Sequence, residues 1–116
     1  RIAIDGGASK SSRQRQRYLK EYFPQIDPSG FYLLENICSD LPETNADNRR
    51  VSATGDLLAY LLTVKEPLDE EVFDLSFCRY LIEATATYAS IPAFDKQTKR
   101  ATHVGFLRKT PHPVDA

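Results

Sequence analysis

The chain has 116 residues, a net charge of −1, and 41% hydrophobic against 27% charged residues. This length fits one compact domain that buries a core without a disulfide or a metal, and six tyrosines and six phenylalanines exclude a disordered composition. No apolar run approaches the ~20 residues of a membrane-spanning helix, so no membrane insertion is expected.

The net charge conceals three segments of different sign. Residues 1–26 carry six basic and two acidic side chains, residues 27–91 carry four and twelve, and residues 92–116 carry five and two. The three net charges are therefore +4, −8 and +3. This pattern predicts either basic arms for an anionic partner or basic ends that pair with an acidic body.

The sequence contains no methionine, so no initiator residue opens it. We therefore expect a fragment or a processed part of a larger protein, whose compartment the sequence leaves open. Within a single domain over residues 1–116, residues 1–12 and 108–116 are expected to be extended arms.

Apolar residues at three- and four-residue spacing predict four helices. A serine that can cap free amides precedes the first helix, and a proline follows each of the four. The helices are expected over residues 13–23, 31–41, 52–64 (or 54–64) and 72–91. The predicted fold class is therefore mostly α, in the all-α class, with a long and central fourth helix.

One small sheet is expected beside the helices. Residues 102–107 contain the β-branched and aromatic side chains that favour a strand, which would pair with Ile2–Ile4. The two termini would then form a two-stranded sheet. Val72–Phe77 also alternates in a strand-like way, which leaves a strand open at that point.

An apolar segment near the amino terminus leads into glycines. Ile2-Ala3-Ile4-Asp5-Gly6-Gly7-Ala8-Ser9-Lys10 resembles the first phosphate loop of the sugar-kinase and actin-like ATPase superfamily. The resemblance implies a phosphotransfer fragment in which the glycines approach phosphate and Asp5 assists metal-bound water or a hydroxyl. It covers only these nine residues, and no second nucleotide motif follows. We therefore interpret residues 1–9 as a terminal strand and a turn.

Two basic segments define an alternative function, a nucleic-acid-binding module for DNA or RNA. Arginine and glutamine alternate over residues 13–17, and both types contact phosphates and base edges, with Tyr18 placed to stack on a base. The alternative requires residues 10–20 and 96–109 to form one basic surface. Its candidate nucleic-acid- or anion-binding residues are Lys10, Arg13, Arg15, Arg17, Lys20, Lys96, Lys99, Arg100, Arg108 and Lys109.

Ser52 is a candidate phosphorylation site. Arg50 and Arg49 stand two and three residues before it, a spacing typical of basophilic kinase sites. A phosphate there would lie at the start of the third predicted helix, where negative charge is favourable. A plain helix cap is the other interpretation of the same serine.

The two cysteines predict no metal site. Cys38 and Cys78 both fall on apolar stripes, so we expect buried free thiols, which favour a reducing compartment, and a single disulfide stays open. Zinc sites show closely spaced ligand pairs, and the sequence has none.

The sequence shows no nucleophile–base pair, metal cluster or complete phosphate loop, so no enzyme activity, catalytic residue or cofactor is expected. The predicted function is that of a soluble helical interaction or assembly domain, a structural subunit. It would contact protein subunits, or further copies of itself, through basic termini and an acidic body.

Overall fold

The computed structural model describes residues 2–5, 11–37, 52–96 and 99–115. Over these residues the chain forms three α-helices, one short 3-10 helix and a four-stranded mixed sheet. The elements in chain order are β1 Ile2–Asp5, α1 Ser12–Tyr22, the 3-10 helix Phe23–Gln25, β2 Phe31–Leu34, α2 Thr54–Val64, α3 Leu75–Ala84, β3 Thr85–Asp95 and β4 Arg100–Lys109.

The predicted mostly α fold with four helices is wrong, and the all-α class is wrong with it. The expected second helix is instead β2 and a turn, and burial alternates along β2 because Tyr32 and Leu34 face the core. The expected fourth helix ends at Ala84, where the chain continues into β3. β3 opens with Thr85, and its threonines and aromatic residues favour an extended backbone once a neighbouring strand supplies hydrogen bonds.

The sheet has the strand order β1-β2-β4-β3. β1 runs parallel to β2 with α1 in the connection, whereas β2 pairs antiparallel with β4, and β3 and β4 form a long antiparallel hairpin. The predicted pairing of the two terminal strands is wrong, because β2 lies between β1 and β4.

The three helices and one face of the sheet enclose a single core. Tyr32, Leu34 and Leu107 enter it from β2 and β4, where they alternate with residues on the other face. The helices contribute buried side chains from one side each: Leu19, Leu57, Leu58, Leu61, Leu62, Phe77, Cys78, Tyr80, Leu81 and Ala84. Among the described residues, no helix is long and apolar enough to cross a membrane.

Two neighbouring polar side chains of α1 tie this helix to the rest of the fold. Arg15 is fully buried and donates from its guanidinium group to the carbonyl oxygens of Asn36 at 2.9 Å and Glu35 at 2.6 Å. Gln16 donates from Nε2 to the carbonyl oxygen of Ser52 at 2.8 Å. The start of α1 therefore holds the end of β2 and the chain that enters α2.

Candidate interaction surface

The sheet face opposite the helices, here called the open face, is largely apolar. Its residues are those that alternate with the buried positions of the four strands. Those with described side chains are Ile4, Phe31, Leu33, Thr87, Ala89, Ile91, Ala93, Asp95, Arg100, Thr102, Val104, Phe106 and Arg108. Ile4 is 62% exposed and Ile91 49% exposed, so apolar area stays in contact with solvent on both edge strands.

Two aromatic rings occupy the two central strands of the open face. The ring centroids of Phe31 and Phe106 lie 5.0 Å apart, with an interplanar angle of 38°. Phe31 pairs with Arg108 across the ladder and Phe106 pairs with Leu33, so the rings are diagonal neighbours. Both rings remain partly exposed and give the open face a rigid apolar centre.

A groove of about 540 Å³ continues the open face toward the tip of the β3–β4 hairpin. Its floor and walls come from the end of β2 and from both hairpin strands. Asn36 donates from Nδ2 to Oδ2 of Asp95 at 3.4 Å and so links these two sides. The lining residues that face the same way as the open face are Leu33, Ala93, Asp95, Thr102 and Val104.

Four of the predicted basic residues lie exposed on or beside the hairpin. Within the described residues, the side chains of Lys96, Lys99, Arg100 and Arg108 make no hydrogen bond or ion pair. The first three cluster at the hairpin tip, and Arg108 lies at the other end of the open face beside Phe31. No described side chain therefore neutralises these four charges.

The predicted basic residues of α1 make different contacts. Arg13 forms a 2.8 Å ion pair with Glu71, and Lys20 forms a 3.0 Å ion pair with Asp74. Two hydrogen-bond donors, the backbone N–H of Phe77 and then Lys20, hold the pKa of Asp74 below its usual value, and slight burial opposes them. In these two ion pairs, side chains of the basic amino-terminal segment contact side chains of the acidic segment. The charge pattern of the sequence allows such pairing.

Other members of the predicted basic set are placed apart. Arg15 lies in the interior, Arg17 is exposed on α1, and Lys10 is outside the described residues. Lys109 is buried and donates from Nζ to the carbonyl oxygens of Ile26 at 2.7 Å and Pro24 at 3.2 Å.

The ammonium group of Lys109 lies over aromatic rings on the core side of the sheet. Its Nζ is 5.4 Å from the ring centroid of Phe23 and 5.9 Å from that of Tyr80. Burial lowers the pKa of Lys109, and the charge of Asp27 partly opposes this. The side chains of Arg15 and Lys109 thus face the interior, whereas Lys96, Lys99, Arg100 and Arg108 face solvent.

The predicted phosphorylation site has defined surroundings. Ser52 is partly buried two residues before α2 begins, and its Oγ donates to Oε1 of Glu70 at 3.3 Å. Arg49 and Arg50 lie outside the described residues, so modification of Ser52 stays a prediction. The glycine-containing segment 6–10 also lies outside them, although Ile2–Asp5 does form a strand.

Of the two cysteines, the structure describes Cys78 alone. Cys78 is a buried free thiol that donates to the carbonyl oxygen of Phe73 at 3.4 Å, and burial raises its pKa, whereas Cys38 lies outside the described residues. Over the described part of the chain, no three His, Cys, Asp or Glu side chains are grouped so that they could hold a metal ion.

Comparison of the chain with protein-family models, with curated protein sequences and with solved structures finds no match in any of the three. The open face therefore has to be interpreted from its own geometry and chemistry. Sequence reasoning missed it because the alternation of β3 was assigned to a helix, although the predicted strand over residues 102–107 already contained Val104 and Phe106.

Proposed function

We propose that this chain is a non-enzymatic interaction domain that binds a protein partner through the open face. The observation that carries the proposal is the apolar face itself, over which the described residues provide no second layer. Contiguous exposed apolar surface on a folded domain marks sites of protein interaction. Full burial of one large aliphatic side chain contributes about 1.5–3 kcal/mol, so several such residues supply useful affinity.

The sequence also predicts an interaction domain, but one that contacts its partner through basic termini and an acidic body. The proposed contact surface is the open face instead. Arg13 and Lys20 of α1 already pair with Glu71 and Asp74 of the acidic segment. Apolar side chains on a rigid sheet are the stronger source of binding free energy, because exposed ion pairs contribute only about 0–1 kcal/mol each.

The test is a selection of binding peptides from a displayed library of random 20-residue sequences on the purified chain. A double variant, Ile4→Thr with Ile91→Thr, keeps β-branched side chains while it removes apolar area from the most exposed positions. We expect the selected peptides to lose at least about tenfold in affinity for this variant.

Val64→Thr is the matched control, because Val64 is 46% exposed but lies on α2, which packs against the opposite face of the sheet. Peptides that bind the wild type, the double variant and the control equally would contradict the proposal.

Nucleic-acid binding is a second candidate, favoured by one observation. Arg108 lies beside the Phe31–Phe106 ring pair on an open sheet, an arrangement in which bases can stack and phosphates can be contacted. Single-stranded dT20 and U20 at 50 and 200 mM salt test it, since such binding weakens steeply with salt. Arg108→Ala should weaken binding more than Arg17→Ala does, and an absence of binding at 50 mM salt would remove this candidate.

A further inference from the structure

The charges of the open face are arranged at its two ends. Arg108 lies at one end, and Lys96, Lys99 and Arg100 lie at the other. Arg108 lies eight residues along β4 from Arg100, which corresponds to about 26 Å. The β4 residues between them on this face are Thr102, Val104 and Phe106, none of which is charged.

Among the described side chains of the strands and the hairpin tip, both ends of the open face carry more positive than negative charge. Glu35 and Asp95 lie near the hairpin tip, but the three cations there outnumber them, and Asp95 accepts a hydrogen bond from Asn36. A complementary partner therefore has an apolar middle and negative charge at both ends.

We propose that the partner of the open face is an acidic amphipathic protein segment, with apolar side chains over Leu33, Val104 and Phe106 and carboxylates at the two basic ends. This inference rests on the function proposed above and deepens it by naming the chemistry of the partner. A helix that spans about 26 Å has about 17 residues, and a helix laid on a sheet face is an ordinary packing arrangement.

Two other occupants fit the charges less well. A second copy of this chain stacked on the open face would bring Arg108 or the hairpin-tip cations against basic ends of its neighbour in either orientation, and like charges oppose such contact. A nucleic-acid strand carries a phosphate at every nucleotide, whereas the middle of the open face offers it no cation.

The test uses three fluorescein-labelled 18-residue helical peptides with one leucine stripe and alanine elsewhere. They differ only in the residues of the first and last turns, which are glutamate, lysine or glutamine. Fluorescence anisotropy measures their affinity for the full chain. We expect the glutamate peptide to bind about tenfold more tightly than the lysine peptide at 50 mM salt, with the ratio approaching one at 500 mM.

A charge-reversed variant distinguishes the contribution of the charged ends to binding from that of the apolar middle. Arg100→Glu with Arg108→Glu should reverse the order of the glutamate and lysine peptides, whereas Arg17→Glu on α1 is the matched control that should leave it unchanged. Circular dichroism of each variant confirms that the change in binding is measured on folded protein.

The outcomes distinguish this inference from the function on which it rests. Equal affinity for all three peptides, lost in the double variant of Ile4 and Ile91, would overturn the acidic partner and leave a protein-binding face. Binding that the double variant retains, or no binding of any peptide, would overturn the acidic segment as occupant of the open face.

Two further measurements test the other occupants. If dT20 or U20 displaces the glutamate peptide and binds the chain more tightly than the peptide does, nucleic acid is the occupant and the inference is overturned. Sedimentation that shows a dimer in the wild type and a monomer in the double variant of Ile4 and Ile91 would identify a second copy as the occupant. That result would also overturn the inference. A monomer that binds neither oligonucleotide is the expected result.

Discussion

The guanidinium group of Arg15 on α1 donates a 2.9 Å hydrogen bond to the backbone carbonyl oxygen of Asn36, just beyond the end of β2. A second hydrogen bond of 2.6 Å reaches the carbonyl oxygen of Glu35, and the arginine side chain has no exposed surface. The positive charge that the sequence places in a basic segment is therefore part of the interior. It satisfies two carbonyl groups where the chain leaves the sheet.

Substitution of Arg15 should therefore cost stability. Arg15→Gln leaves the carbonyl groups of Glu35 and Asn36 with fewer donors in a buried position, so we expect the free energy of unfolding to fall by about 2–4 kcal/mol. Urea denaturation followed by circular dichroism measures the change. The exposed Arg17→Gln is the matched control on the same helix, with an expected change within about 0.5 kcal/mol. Equal effects of the two substitutions would show that Arg15 has no structural role.

Gly105 on β4 should not tolerate a larger residue beside Ile37. A Cβ atom at position 105 would overlap the Cδ1 methyl group of Ile37, so Gly105→Ala is expected to cost about 1–3 kcal/mol. Ile37→Val removes that methyl group, and the double variant should recover part of the loss. Thermal and urea unfolding of the two single variants and the double variant measure the coupling. Strictly additive effects would argue against a clash between these two positions.

The ion pair of Asp74 predicts a pH dependence at acidic pH. Its pKa is lowered in the folded state, first by the N–H of Phe77 and then by Lys20, so its contribution is present above the unfolded pKa near 3.8 and is lost as the pH falls through the lower folded pKa. Asp74→Asn keeps a residue that can cap α3 but removes the charge. We expect the wild type to exceed this variant in stability at pH 7 by less than about 1 kcal/mol, since the pair is exposed.

Urea denaturation between pH 7 and pH 2.5 measures this difference, which should shrink toward the acid end. A difference that stays constant across this range would exclude titration of Asp74 as its cause. Asp56→Asn, an exposed carboxylate in the first turn of α2, serves as a control for general charge effects.

The buried ammonium group of Lys109 predicts that stability depends on pH in the alkaline range. Burial lowers its pKa in the folded state, so the unfolded chain binds more protons between the folded pKa and the usual value of 10.5. Stability should therefore rise through this alkaline window in the wild type relative to Lys109→Met, in which no amine titrates. Denaturation of both proteins between pH 7 and pH 10 gives the difference. A difference that falls with rising pH would contradict the lowered pKa.

The two correct helices show what local pattern could predict. α1 and α2 both lie within about two residues of the segments expected from apolar spacing and a following proline, and Ser11 caps α1, whereas Ala53 stands at the cap position of α2. β2 shows where that reasoning fails, because Phe31, Leu34 and Ile37 fit a helical stripe while Tyr32 and Leu34 equally fit an alternating strand. Pairing with β1 and β4 decides between them, and such pairing joins residues far apart in sequence.

The candidate surface, too, could be predicted only in part from the sequence. Its cations were visible in the sequence at Lys96, Lys99, Arg100 and Arg108, but so were those at Arg15 and Lys109, which the fold buries against carbonyl groups. Alternation along a strand could have separated Arg108 from Lys109, since adjacent strand residues point to opposite faces. It could not have shown that the β3–β4 hairpin joins β2 in one sheet whose far side stays uncovered by the described residues.

By itself, the sequence determined the charge of each segment, the apolar stripes of α1 and α2, and the turns that end them, because these depend on residues close together in the chain. Tertiary structure alone decided that β2 and β3 are strands, which cations are buried, and where the apolar face lies. The physical reason is that a strand is stabilised by hydrogen bonds to distant segments, so its conformation and its two faces are set only when the sheet assembles.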